Sequence, residues 1–136
     1  MIGSRLRALV LRRAKGRCEY CRIHQSDVDF PVFHVEHVIP HKHGGSNKSA
    51  NLCLACPECN FAKGPNVAGL INGKLFPLFH PRRQLWKQHF RWQGAMVVGT
   101  TKVGAVTVRV LNMNSTARLK LRRSLMDEQR FPPLED

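Results

Sequence analysis

Four cysteines in two pairs, Cys18 and Cys21 in CEYC and Cys56 and Cys59 in CPEC, flank a histidine-rich stretch, FHVEHVIPHKHGG. A Cys-x-x-Cys turn points both sulfurs at one place, and two such turns supply the tetrahedral thiolate set that Zn²⁺ takes, with Zn–S bonds of about 2.3 Å. Between the pairs Glu36 and His37 stand side by side, and Asn60 follows Cys59 directly. Glu36 is a hard oxygen ligand suited to Mg²⁺ or Mn²⁺, Asn60 can add a neutral oxygen, and His37 has the near-neutral pKa of a general base. Hydrolysis of a phosphodiester needs such a set: a cation to absorb charge building on the phosphate, and a base to deprotonate water. Zinc at Cys56 and Cys59 would fix the helix carrying Asn60 against the strand carrying Glu36 and His37, so that one metal preorganises the other.

The elements that must position these residues are marked by their punctuation. Ser4 can cap a helix with Leu6, Leu9, Val10 and Ala14 on its apolar face and Gly16 as its stop. Residues 30–39, rich in Val, Phe and Ile, read as a strand ended by Pro40, and the loop HKHGGSNKSAN reverses through its two glycines. A second strand follows over Leu52 to Ala55, where Cys53, the fifth cysteine, is expected as a small buried apolar residue. Pro57 suits the first turn of a helix running to Lys63, closed by Gly64 and Pro65. Beyond Asn66 the pattern predicts a helix opened by Pro81 through His89, a hairpin turning at Gly94, and a final helix from Ser115 to about Gln129. Residues 101–113 carry valines that favour strand, but their helical spacing and a capping Thr101 favour helix.

With 22 Lys and Arg against 9 Asp and Glu, the chain carries a formal charge of +13. That excess suits a polyanion, most simply nucleic acid; a membrane surface is the weaker alternative because no amphipathic anchor stands out. No apolar run approaches the roughly 20 residues that span a bilayer. The opening MIGSRLRALVLRRAKG is too basic for a signal peptide, so the expected location is cytoplasmic, with reduced cysteines.

The run VEHVIPHKHGG, then NL, then CPECNFAKG resembles the HNH endonucleases of the ββα-metal type, over about residues 5–66. The resemblance implies His37 as general base, Glu36 and Asn60 as ligands of one Mg²⁺ or Mn²⁺, and Asn51 as the brace of the loop. It likewise implies Cys18, Cys21, Cys56 and Cys59 as a structural Zn²⁺ site, and cleavage of DNA to 5′-phosphate and 3′-hydroxyl ends. Glu36 stands where Asp is commoner in the family, and Asn60 where many members have His. The fold expected is therefore α+β. A zinc-stapled ββα-metal core with an N-terminal helix would span residues 1–66, and a C-terminal extension of hairpin and helices, packed on the core, residues 67–136.

The remaining polar residues divide by position. His34 shares the strand face of Glu36 and could be a third ligand, a phosphate contact or a structural histidine. His41 and His43, in the loop, are expected as DNA contacts or solvent-exposed. Lys63 shares a helix face with Asn60 and could reach a phosphate. Arg82 and Arg83 read as a solvated basic surface open to backbone phosphates, and Trp86, Phe90 and Trp92 as core. A backbone-directed site does not read the sugar, so RNA stays beside DNA as a substrate. Two other readings use the same residues: a non-catalytic zinc-stabilised module that binds nucleic acid, and a zinc-held adaptor for which the charge is incidental.

Overall fold

The computed structural model describes residues 2–29 and 32–134, with mixed helices and small sheets, an α+β arrangement. Helix α1 (Ser4–Arg13) is capped by Gly3, without any side-chain cap, so Ser4 is its first residue and not its cap. Glycine is itself an acceptable N-cap: its backbone is extended and its carbonyl accepts the first helical bond, from Arg7 N–H at 3.0 Å. Val10 is the fully buried point of the helix.

Strands β1 (His34–His37) and β2 (Leu52–Ala55) pair antiparallel, with Glu36 opposite Cys53 and His37 opposite Leu52. The strand expected over residues 30–39 is thus shorter at both ends; Phe30 and Pro31 lie outside the described residues. At its far end, Val38 N–H still donates to Asn51 O, but Ile39 N–H donates to the Asn51 side-chain oxygen. An asparagine side chain there replaces the next rung of the ladder. Helix α2 (Pro57–Lys63) has Pro57 in its first turn, and Cys56 caps it by accepting from Cys59 N–H.

The extension begins with a hairpin that was not expected, β3 (Ala68–Ile71) and β4 (Lys74–Pro77). Its turn is Asn72–Gly73, with φ of 51° and 79°, the two left-handed residues of a type I′ turn. The helix expected from Pro81 shrinks to α3 (Trp86–His89). His80 closes the preceding segment on itself, its carbonyl accepting from Arg83 and Gln84 and its own N–H donating to the Gln84 side chain, and the extended Leu85 breaks any continuation. Strands β5 (Phe90–Gln93) and β6 (Met96–Gly99) form the hairpin with Gly94 at its turn. Helix α4 (Lys102–Val110) takes Thr101 as its cap, and α5 (Thr116–Asp127) takes Ser115. Helix α4 packs on β3, β4 and β6, lying so close to the end of α3 that a Cβ on Gly104 would meet His89 O at 1.9 Å.

One core of buried side chains runs from Val10 through Tyr20, Leu54 and Phe79 to Leu125 and Phe131. Polar contacts cross from extension to core as well. Trp86 Nε1 donates to Tyr20 O at 2.7 Å, and Arg82 pairs with Glu19. Among the described residues no helix is long and apolar enough to cross a membrane.

Candidate functional site

The four cysteines of the two Cys-x-x-Cys pairs converge. Their sulfurs all lie within 4.8 Å of one another, and all four residues are buried. Cys18 and Cys21 sit on a tight turn in which Arg22 N–H donates to Cys18 O, with Arg22 at φ 70°; Cys56 and Cys59 sit on the first turn of α2. Hydrogen bonds from Cys18, Cys56 and Cys59 pull the Cys21 thiol well below its ordinary value. Cys56 is pushed up, first by Cys18 and Cys21, and Cys59 is pushed up by burial before its neighbouring thiols. Ionising Cys56 and Cys59 beside Cys21 therefore calls for a cation. The set fits Zn²⁺, which takes four thiolates in a closed site.

Arg118 of α5 completes this cluster, and the sequence did not single it out. Its Nη1 donates to Cys59 Sγ at 3.2 Å and its Nε to Glu58 at 3.3 Å, in a side chain only 6% exposed. Four thiolates around Zn²⁺ carry a net charge of about −2, and a buried guanidinium at their edge offsets part of it.

The second group gathers on β1, where strand alternation sends Glu36 inward and turns His37 toward the loop. Glu36 is buried opposite Cys53, which is also buried, and burial pushes its pKa up to about 7 against the pull of Lys63. Lys63 Nζ stands 3.6 Å from Glu36 Oε1 and donates to His37 O at 3.4 Å. Lys63 is therefore an internal residue, 1% exposed, and its ammonium is turned to Glu36 and not to the phosphate that its place on the Asn60 face could reach. Glu36 and the His37 carbonyl draw its side chain inward.

His37 is half-buried, with Nε2 at 2.7 Å from Asn47 Oδ1. His41 Nε2 reaches the same oxygen at 2.7 Å, and the two imidazoles meet edge-on with centroids 4.5 Å apart. A carbonyl oxygen only accepts, so each ring meets it as an Nε2–H donor. Asn47 is thus a second residue that sequence reasoning missed. It sits among Ser46 and Lys48 in the loop, and no spacing rule distinguishes it from them.

Asn51 ties that loop down. Its amide donates to Ile39 O at 2.9 Å and to Ser46 O at 2.8 Å, and its oxygen accepts from Ile39 N–H at 2.9 Å. Gly45 makes room for the same knot, since a Cβ there would lie 1.6 Å from Ile39 O and 2.8 Å from the Asn51 amide. Asn60 is half-buried on α2, which packs against β1. His34, His43 and Arg83 are exposed. Arg82 departs from the solvated basic surface expected of it: its side chain is 17% exposed and pairs with Glu19, because the folded 80–84 turn aims it at the core. Trp86 and Phe90 are core, while Trp92 is half-buried.

Residues 18–66 match the HNH endonuclease family, and this segment is an HNH-family domain. The chain is also similar to the Septu protein PtuA of Bacillus mycoides (strain KBAB4), at 29% identity over 152 aligned positions. That alignment takes in 90% of this chain but 21% of the relative, so the chain spans about a fifth of its relative's length. No solved structure matches the chain.

Proposed function

We propose that this protein is a metal-dependent endonuclease that hydrolyses phosphodiester bonds in DNA, with His37 as its general base and Glu36 and Asn60 holding one Mg²⁺ or Mn²⁺. The observation that carries this reading is the state of His37. Its Nε2 lies 2.7 Å from Asn47 Oδ1 at the mouth of the loop, and its neighbour in β1, Glu36, is buried beneath the strand. Hard cations of this kind keep several waters and need only one or two protein carboxylates, so Glu36 with the amide oxygen of Asn60 is a sufficient donor set. The motif offers Glu36 as its acidic ligand, so one such ion is proposed and not two. Bound there, the ion would supply positive charge to the phosphate and to the departing oxygen.

In this reading His37 Nδ1 takes the proton of the attacking water, and the contact of Nε2 with Asn47, beside the His41 ring, holds the imidazole. Asn51 keeps the loop carrying Asn47 at its distance from β1. Exposed His34, His43 and Arg83 serve as contacts to backbone phosphates, which orient a strand without reading its sequence. Residues 1–66 form the catalytic unit in this reading and residues 67–136 its packed extension. The five free cysteines suit a reducing compartment such as the cytoplasm.

A second reading is favoured by one contact. The Lys63 ammonium already attends Glu36, so the domain could be a zinc-held nucleic-acid-binding module in which a lysine stands in for the metal. The test is cleavage of supercoiled plasmid by zinc-loaded protein with Mg²⁺, Mn²⁺ or a chelator that spares zinc. Divalent-dependent nicking that leaves 5′-phosphate ends supports the nuclease. Tight, salt-sensitive binding with no cut on duplex, single-stranded or branched DNA supports the module.

A further inference from the structure

Tyr20, the only tyrosine of the chain, stands inside the first cysteine turn, between Cys18 and Cys21, and is fully buried. Its hydroxyl reaches Cys53 of β2, 3.7 Å from Sγ, and the same sulfur lies 3.9 Å from Glu36 Oε2. Cys53 and Glu36 stand directly opposite in the register of β1 and β2. The three side chains therefore run without a gap from the cysteine turn to the carboxylate. A thiol has one proton, and an ionised Glu36 only accepts. Given to the carboxylate, that proton leaves the sulfur free to accept from the Tyr20 hydroxyl, which supplies the partner a buried phenol needs.

The turn is clamped to the strand that carries Cys53. Glu19, the residue before Tyr20, donates its N–H to Leu54 O at 2.8 Å and accepts from Leu54 N–H through Oε2 at 2.9 Å. Trp86 Nε1 holds the turn as well, donating to Tyr20 O at 2.7 Å. At the other carboxylate oxygen, Lys63 Nζ stands 3.6 Å from Oε1. Glu36 is thus attended at both oxygens, at one by α2 and at the other by the cysteine turn through β2.

A carboxylate that ligates a cation depends on the hydrogen bonds that fix its orientation, and losing them typically weakens metal binding about 10–100-fold. We propose that Tyr20 is a positioning residue for Glu36, acting through Cys53 to orient the carboxylate that holds the divalent cation. The first cysteine turn thereby shapes the cation site as well as the fold. The proposal rests on the reading of Glu36 as a cation ligand, and it is independent of His37 and of the kind of nucleic acid bound.

The experiment uses the whole zinc-loaded protein with Mn²⁺ as the probe, and free and bound ion are counted by electron paramagnetic resonance. The parent should take up Mn²⁺, and Glu36→Gln should lose that uptake. Tyr20→Phe keeps the ring and deletes only the hydroxyl; folded and with full zinc content, it should bind Mn²⁺ about tenfold more weakly. The Mg²⁺ concentration for half-maximal plasmid cleavage should rise by the same factor. Cys53→Ala should weaken binding to a similar extent, and Cys53→Ser, which keeps a donor and an acceptor, should recover part of the loss. Because the chain has a single tyrosine, 3-fluorotyrosine labels Tyr20 alone. Its one ¹⁹F line should shift with Mg²⁺ in the parent and stay fixed in Glu36→Gln, and this readout serves if Tyr20→Phe folds poorly. A folded Tyr20→Phe that binds Mn²⁺ like the parent, or a ¹⁹F line indifferent to Mg²⁺ in a parent that binds Mn²⁺, would overturn the proposal and leave Glu36 as a ligand. A parent that takes up no Mn²⁺, or equal uptake by Glu36→Gln, would overturn the ligand reading and this proposal with it.

Discussion

The cysteine cluster and the Glu36–His37 strand both carry metal-ligating residue types, yet the molecule encloses one and opens the other. All four sulfurs are buried and turned on each other, and the neighbour that joins them from outside, Arg118, is itself buried. At β1 the burial changes from one residue to the next: Glu36 is inside against Lys63, while His37 faces an exposed Asn47 and His41. A metal that only holds a fold gains from complete closure, because every ligand is protein and water has no role. A site that must admit water and a phosphate needs an edge, and period-two alternation provides one within two residues.

Breaking the closed site should have the largest effect. Cys59→Ser or removal of zinc should unfold the core, since structural zinc contributes on the order of 10 kcal/mol of apparent binding free energy. Thermal melting with zinc stoichiometry checks this, and a variant that melts like the parent would mean the four sulfurs do not share an ion. Asn51→Ala comes next. It removes three hydrogen bonds and leaves Ile39 N–H without its side-chain partner, for an expected loss of about 2–3 kcal/mol in chemical denaturation. Arg118→Ala should cost about 2 kcal/mol, because it deletes a charged hydrogen bond to a buried sulfur. Its sharper readout is faster zinc loss to a chelator, with Arg118→Lys in between; unchanged loss rates would make the Arg118–Cys59 contact incidental.

At the open site the expected balance reverses, with little effect on folding and much on chemistry. Asn47→Leu should leave the melting temperature nearly unchanged, since the residue is exposed, and lower cleavage about 100-fold through a misoriented His37 ring. Asn47→Asp keeps an acceptor and should retain most activity. The smallest effect is a pH dependence. The folded protein holds a proton on Glu36 up to about pH 7, while the unfolded chain releases it in the ordinary glutamate range. That group's contribution to stability is complete below the unfolded value and fades as pH rises through about 7. Without divalent cation, parent stability should thus fall relative to Glu36→Gln between pH 5 and 7.5. Parallel melting curves for the two would remove the buried-carboxylate explanation.

What was legible in the sequence is what neighbouring residues decide. The cysteine spacing, Pro57 at the head of α2, the Gly94 turn and the Thr101 and Ser115 caps are local signals, and each element stands where those residues put it. The β3–β4 hairpin had such a signal in Asn72–Gly73, but its strands AGLI and KLFP lack clean alternation and were passed over. Lys63 and Arg82 were misread for another reason. Their partners, Glu36 and Glu19, lie far off in the chain, and only the docking of α2 and of the 80–84 turn decides that these cations face inward. Asn47 and Arg118 belong with them, since the path of a loop and the seating of α5 bring them to His37 and Cys59.

The most direct measurement compares Mg²⁺-dependent cleavage of supercoiled DNA by the parent and by His37→Ala, both zinc-loaded and with matched melting curves. A general base of this kind is worth about 10²–10⁴-fold, so the expected result is a loss of that size with no change in zinc content or fold. Equal cutting by His37→Ala would contradict the assignment of the base, and no cutting by the folded parent with either Mg²⁺ or Mn²⁺ would contradict the nuclease itself.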